Sequence, residues 1–106
     1  MVSVSTHVLD ARSGRPATGV GVVLEGPEPQ WRPLADGVTD ADGRVADLAG
    51  ADVEGAYRLR FDTGGFFDGD TFYPEVVVTF SVRDVAAHHH VPLLLSPFAY
   101  TTYRGS

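Results

Sequence analysis

Apolar side chains recur at every second position along most of this chain, a period that belongs to strands rather than helices. Residues 2 to 9 put Val2, Val4, Thr6 and Val8 on one face and Ser3, Ser5, His7 and Leu9 on the other, and the stretch from Asp10 to Pro16 carries a turn. Val20, Val22 and Leu24 form a second inward row. Tyr57, Leu59 and Phe61 form a third, with Arg58, Arg60 and Asp62 facing out. Val76, Val78, Phe80 and Val82 make a fourth, opposed by Glu75, Val77, Thr79, Ser81 and Arg83. Two shorter strands are predicted around Trp31 to Thr39 and Arg44 to Leu48, joined by Asp40-Ala41-Asp42-Gly43 with glycine at the strained turn position. Between Thr63 and Phe72, Gly64-Gly65 and Asp68-Gly69-Asp70 leave room for at most one helical turn.

The final two strands differ from the rest. In residues 88 to 95, Val91, Leu93 and Leu95 face the core, so His88, His90, Pro92 and Leu94 share the outer face. In residues 98 to 104, Phe98, Tyr100 and Thr102 oppose Ala99, Thr101 and Tyr103. Leu9, Pro92, Leu94 and Tyr103 thus place apolar groups on the outside of one sheet, the mark of an interface or a ligand groove. The pattern as a whole predicts an all-β sandwich of seven or eight strands, one domain over residues 1 to 106, with no internal repeat and no linker.

Composition narrows the function. The 106 residues carry eight arginines, no lysine and fourteen carboxylates, a net charge of −6, and the arginines are scattered. Nucleic acid is a poor partner for such a surface, because affinity for phosphates rests on a basic patch. No cysteine is present, which removes disulfides, thiolate metal sites and thiol nucleophiles. Neither a leader pattern nor an apolar run long enough to span a bilayer is visible, so a cytoplasmic location with no membrane partner is the expectation.

Chemistry is concentrated in four histidines and one arginine. By parity His7, His88 and His90 can all lie on outer faces. The triplet His88-His89-His90 reads first as a solvated strand start; a general base near neutral pKa and, less readily, two ligands of a zinc site are the chemical readings it also allows. Arg44 directly follows the Gly43 turn and supplies a fixed cation for an anionic substrate or a developing oxyanion, or else simply begins a strand.

Several segments together resemble a known family. They are Ser5-Thr6-His7-Val8-Leu9-Asp10 with Gly14 and Pro16-Ala17, the turn Asp42-Gly43-Arg44, Phe72-Tyr73-Pro74-Glu75-Val76, the run from His88 to Pro97, and Tyr103-Arg104-Gly105-Ser106. This chain resembles the 5-hydroxyisourate hydrolases, transthyretin-like enzymes of urate breakdown, over almost its whole length. The histidines and the Tyr-Arg-Gly-Ser segment separate it from the hormone carriers of the same fold. His89 stands where that family commonly has Tyr, Thr101 where it commonly has Ser, and the loop from Gly64 to Thr71 looks short.

The resemblance implies a transthyretin-like sandwich of two four-stranded sheets in a homotetramer, with active sites in the channel lined by the sheet that holds residues 2 to 9, 88 to 95 and 98 to 104. It implies hydrolysis of 5-hydroxyisourate to 2-oxo-4-hydroxy-4-carboxy-5-ureidoimidazoline with no cofactor and no metal. Its functional residues fall on His7, Arg44, His90 and Ser106 as catalytic groups, with His7, Arg44 and Tyr103 binding substrate. Either His7 or His90 is the base at this stage. The alternative is a non-catalytic transthyretin-like module that binds a planar small molecule in the same channel.

Overall fold

The alternating rows become nine strands and one short helix in a computed structural model that describes residues 1 to 106. In chain order these are β1 (Ser3–Asp10), β2 (Arg15–Pro16), β3 (Gly21–Glu25), β4 (Pro33–Val38), β5 (Arg44–Ala49), β6 (Gly55–Phe61), α1 (Thr63–Phe66), β7 (Val76–Val82), β8 (His88–Ser96) and β9 (Ala99–Thr102). No helix is long and apolar enough to cross a membrane.

Two sheets pack face to face. One runs β4-β3-β6-β7, antiparallel throughout. In the other, β1 lies parallel to β8, β8 antiparallel to β9, and the far edge of β1 is shared end to end by β5 and the two-residue β2. That sheet is therefore four strands wide, as expected, and β2 is a short extension that the turn after Asp10 adds. The Asp10 carboxylate accepts from the Arg12 N–H at 2.9 Å and the Ser13 hydroxyl at 3.0 Å, which closes that turn.

The inward rows meet in a single core of 17 buried apolar residues. Val4 and Val8 of β1, Leu24 of β3, Leu59 and Phe61 of β6 and Leu93 and Leu95 of β8 are all within 1% of complete burial. Burial at roughly 25 cal/mol per Å² of apolar surface is the main force holding the layers together. The helical turn α1 is capped by Asp62, whose carboxylate accepts from the Gly65 N–H at 3.0 Å.

The outer faces of the two sheets differ chemically. On β3 and β6 the Glu25 carboxylate takes Arg58 Nε at 2.7 Å and an Arg60 guanidinium nitrogen at 3.2 Å, and the Arg58 guanidinium stacks over Trp31 at 4.4 Å. Those charges satisfy one another. On the β1-β8-β9 sheet, Leu94, Phe98, Tyr100 and Tyr103 are exposed.

Parity also holds inside β8. His89 turns inward, 6% exposed, with its ring 6.3 Å from Phe80 and its Nδ1 without a hydrogen-bond partner. Two elements depart from expectation: β2 raises the count from seven or eight strands to nine, and β9 covers Ala99–Thr102 instead of residues 98 to 104. In this register Tyr103 faces Pro92, which has no N–H to give to the ladder, and pairing resumes only at Gly105 opposite His90.

Candidate active site

Strand register brings the polar outer row of β1 against the histidines of β8. The parallel pairing sets Ser3 beside His88, Ser5 beside His90 and His7 beside Pro92, all on one face because alternate residues share a face. Ser5 Oγ lies 2.7 Å from His88 Nε2 and 2.7 Å from His90 Nδ1, and Ser3 Oγ lies 2.8 Å from His88 Nδ1. The result is a continuous chain of four hydrogen-bonding groups.

Arg44 arrives from the other side of β1. In the antiparallel β1–β5 pairing it is the direct partner of His7. The preceding turn needs glycine: Gly43 has φ +75°, and a Cβ there would run into the Val8 carbonyl oxygen. Asp40 fixes the same turn by accepting from the N–H groups of Asp42 at 2.9 Å and Arg44 at 3.0 Å. The Arg44 N–H is the main reason the Asp40 carboxyl sits below its ordinary pKa of 3.8.

The chain's final residues complete the arrangement. The Gly105 N–H donates to the His90 carbonyl at 2.9 Å, and Gly105 lies so close to the His90 ring and Pro92 that any side chain would collide with both. Ser106 is thereby delivered into a cavity of about 240 Å³ lined by Ser5, Thr6, Arg44, Ala46, His88, His90 and Ser106. A wider groove of about 440 Å³ on the opposite sheet is bordered by Asp36, Asp62, Glu75 and Arg60 and contains no histidine.

The electrostatics of the cavity act on His90. Burial foremost, and then the positive charge of Arg44 and the neighbouring His88 and His7, push its imidazole below the ordinary value of 6.5. His90 is therefore a neutral, proton-accepting imidazole at neutral pH, beside a permanent cation. A neutral base next to a guanidinium can deprotonate water and hold the oxyanion that results when water adds to a carbonyl.

Of the residues singled out from sequence, Arg44, His90 and Ser106 line one cavity, and His7 adjoins them as the strand partner of Arg44. Tyr103 does not line that cavity. It borders a neighbouring cleft of about 280 Å³ with Val78, Phe80, His89 and Arg104, and His90 is common to both spaces. Ser3, Ser5 and Asp40 also belong to the arrangement, though none was among the residues singled out for chemistry. Their signal was present only as parity with His7 and as a turn-forming aspartate. No three histidine, aspartate or glutamate side chains group as a metal site needs.

Residues 4–105 match the family model described as the HIUase/Transthyretin family. A 5-hydroxyisourate hydrolase of Salmonella dublin is 47% identical over 109 residues, covering 97% of this chain and 80% of that protein. The solved 5-hydroxyisourate hydrolase of Klebsiella pneumoniae superposes with a TM-score of 0.86 at 36% identity, covering all of both chains. The transthyretin of Sparus aurata superposes with a TM-score of 0.85 at 32% identity, covering 96% of this chain and 95% of that one.

Proposed function

The chain belongs to the HIUase/transthyretin family, and from that premise we propose that it opens the six-membered ring of 5-hydroxyisourate by hydrolysis at an amide carbonyl, giving 2-oxo-4-hydroxy-4-carboxy-5-ureidoimidazoline. It is a hydrolase, an enzyme of urate degradation. The observation that carries this reading is the single cavity in which His90, Arg44 and Ser106 meet on the β1-β5-β8 face. A passive binding channel has no need of a neutral imidazole held beside a guanidinium.

In the reaction proposed, His90 takes a proton from water as the water oxygen adds to the carbonyl carbon. Arg44 binds the substrate's oxygens and stabilises the oxyanion, since charge-assisted hydrogen bonds from a guanidinium strengthen as negative charge develops. His7, the partner of Arg44 across β1 and β5, contacts substrate at the rim of the cavity. The Ser106 hydroxyl donates to the bound ring. Collapse of the tetrahedral adduct breaks the C–N bond, and the nitrogen takes a proton back through His90. Tyr103, on the far side of His90, flanks the substrate edge that reaches past the imidazole. No cofactor enters the scheme.

The same reading makes the molecule a homotetramer packed through the β1-β8-β9 face, where Leu94, Phe98, Tyr100 and Tyr103 are exposed. It also places the molecule in the cytoplasm, where a chain without cysteine gives up no disulfide stabilisation. The direct test mixes pure protein with freshly prepared 5-hydroxyisourate and follows its ultraviolet decay. Decay at the spontaneous rate overturns the hydrolase.

A further inference from the structure

We propose that Ser3, His88, Ser5 and His90 form one proton path, in which Ser5 and His88 act as positioning residues that set the tautomer of His90 and carry its proton between the cavity and the exposed end of the chain. The proposal rests on the hydrolase reading and assigns work to groups that reading leaves idle.

The three contacts of 2.7, 2.7 and 2.8 Å run without a gap from His90 Nδ1 through Ser5 Oγ, His88 Nε2 and His88 Nδ1 to Ser3 Oγ. A neutral imidazole has one N–H and one bare nitrogen, so His88 gives to one serine and receives from the other, and a proton can pass along the chain when the Ser5 hydroxyl likewise receives from one histidine and gives to the other. Two polarities run in one direction from end to end. In the first, His90 Nδ1–H donates to Ser5, Ser5 to His88 Nε2 and His88 Nδ1–H to Ser3, leaving the lone pair of His90 Nε2 to accept from water. In the second, every donor is reversed and His90 Nε2 carries the proton.

Passing from the first to the second carries one net proton out of the cavity through several linked transfers. Water loses a proton to His90 Nε2 as its oxygen bonds to the substrate carbon. The Nδ1 proton moves to Ser5, the Ser5 proton to His88 Nε2, the His88 Nδ1 proton to Ser3, and one proton leaves Ser3 to solvent. Reversal supplies the proton that the departing ring nitrogen needs when the C–N bond breaks. His90 faces Arg44 from β5, His7 from β1, His88 on its own strand, and Arg104 across the neighbouring cleft. A path that moves the proton on avoids storing a second cation among these groups. His88 is exposed, so the outer end reaches water.

The test compares parent, Ser5→Ala, Ser5→Thr and His88→Gln by steady-state kinetics in mixtures of light and heavy water. Ser5→Ala should lower kcat by about 10- to 100-fold, less than the loss of the acid–base group itself, with KM within about twofold. Ser5→Thr keeps the hydroxyl and should recover most of kcat. The parent's rate should bend with deuterium fraction, as several moving protons require, and Ser5→Ala should give a straight line. Nitrogen NMR of the free protein should show the ring nitrogens of both His88 and His90 shifted in Ser5→Ala. Parental kcat in Ser5→Ala or His88→Gln, a bend that survives the loss of Ser5, no recovery with threonine, or unmoved ring nitrogens each overturns the path. No parental turnover at all overturns the hydrolase reading first, and the path with it.

Discussion

The Gly105 N–H donates to the His90 carbonyl at 2.9 Å, so residues 103 to 106 are tied to the strand that carries His90. Deleting Tyr103 to Ser106 should therefore remove most of the hydrolysis, by about 10² or more, because Ser106 and the cover over His90 go together. The melting temperature should fall by only a few degrees, since one hydrogen bond is worth about 1 kcal/mol. Gly105→Ala is the milder version: its methyl meets the His90 ring and Pro92, and it should lower kcat in a folded protein. Unchanged rates in both variants would make the segment a frayed end.

His7→Ala, Arg44→Ala and His90→Ala are each expected to reduce the hydrolysis rate by about 10² or more, the scale of a lost general base or oxyanion partner. All three side chains stand on the outer face, so circular dichroism and melting should stay close to parental. His89 lies on the opposite face of β8, and His89→Tyr should leave the rate within about twofold. Near-parental turnover in any of the three removes that residue from the site.

The pH dependence follows from His90. Burial, then Arg44, His88 and His7, lower its pKa from 6.5, so the active neutral form persists as the solution becomes mildly acidic. The acid limb of kcat/KM should have its midpoint below 6.5, and NMR titration of His90 in Arg44→Gln should show its pKa raised. Stability has the matching sign: as pH drops below about 6.5 the unfolded chain binds the proton first, so stability declines until His90 titrates in the folded state. A His90 titration that ignores Arg44 would refute this account.

Activity should survive exhaustive chelation, because the steps assigned to His90 and Arg44 need only an imidazole and a guanidinium. Loss of turnover on chelation with recovery on added zinc would instead make ligands of His7, His88 and His90.

Light scattering at micromolar concentration should report four subunits, and Leu94→Glu, which puts a charge on the exposed apolar face, should give smaller species. Mixing His7→Ala subunits with subunits lacking Tyr103 to Ser106 asks whether one site draws on two chains. Recovered activity means shared sites; none, with subunit exchange demonstrated, confines each site to one chain.

Alternation alone determined the sandwich, since a two-residue period is local information: it sorted Val91, Leu93 and Leu95 from His88, His90 and Leu94 and turned His89 inward before any strand was paired. The Gly43 turn was equally legible, because only glycine relieves its backbone. The family resemblance supplied His7, Arg44, His90 and Ser106 as a set, though not their contacts. Tertiary structure decided which strands became neighbours and in what register. Ser5 and His90 are 85 residues apart, and their contact exists only because β1 lies parallel to β8 in one alignment. A slip of one residue would have turned Ser5 to the other face. The same holds for Tyr103, which parity placed with Pro92 and Leu94 but which borders the cleft beside His89, beyond a ladder that Pro92 interrupts. Periodicity fixes the face of a side chain, but neighbours across strands depend on long-range pairing, which no local pattern contains.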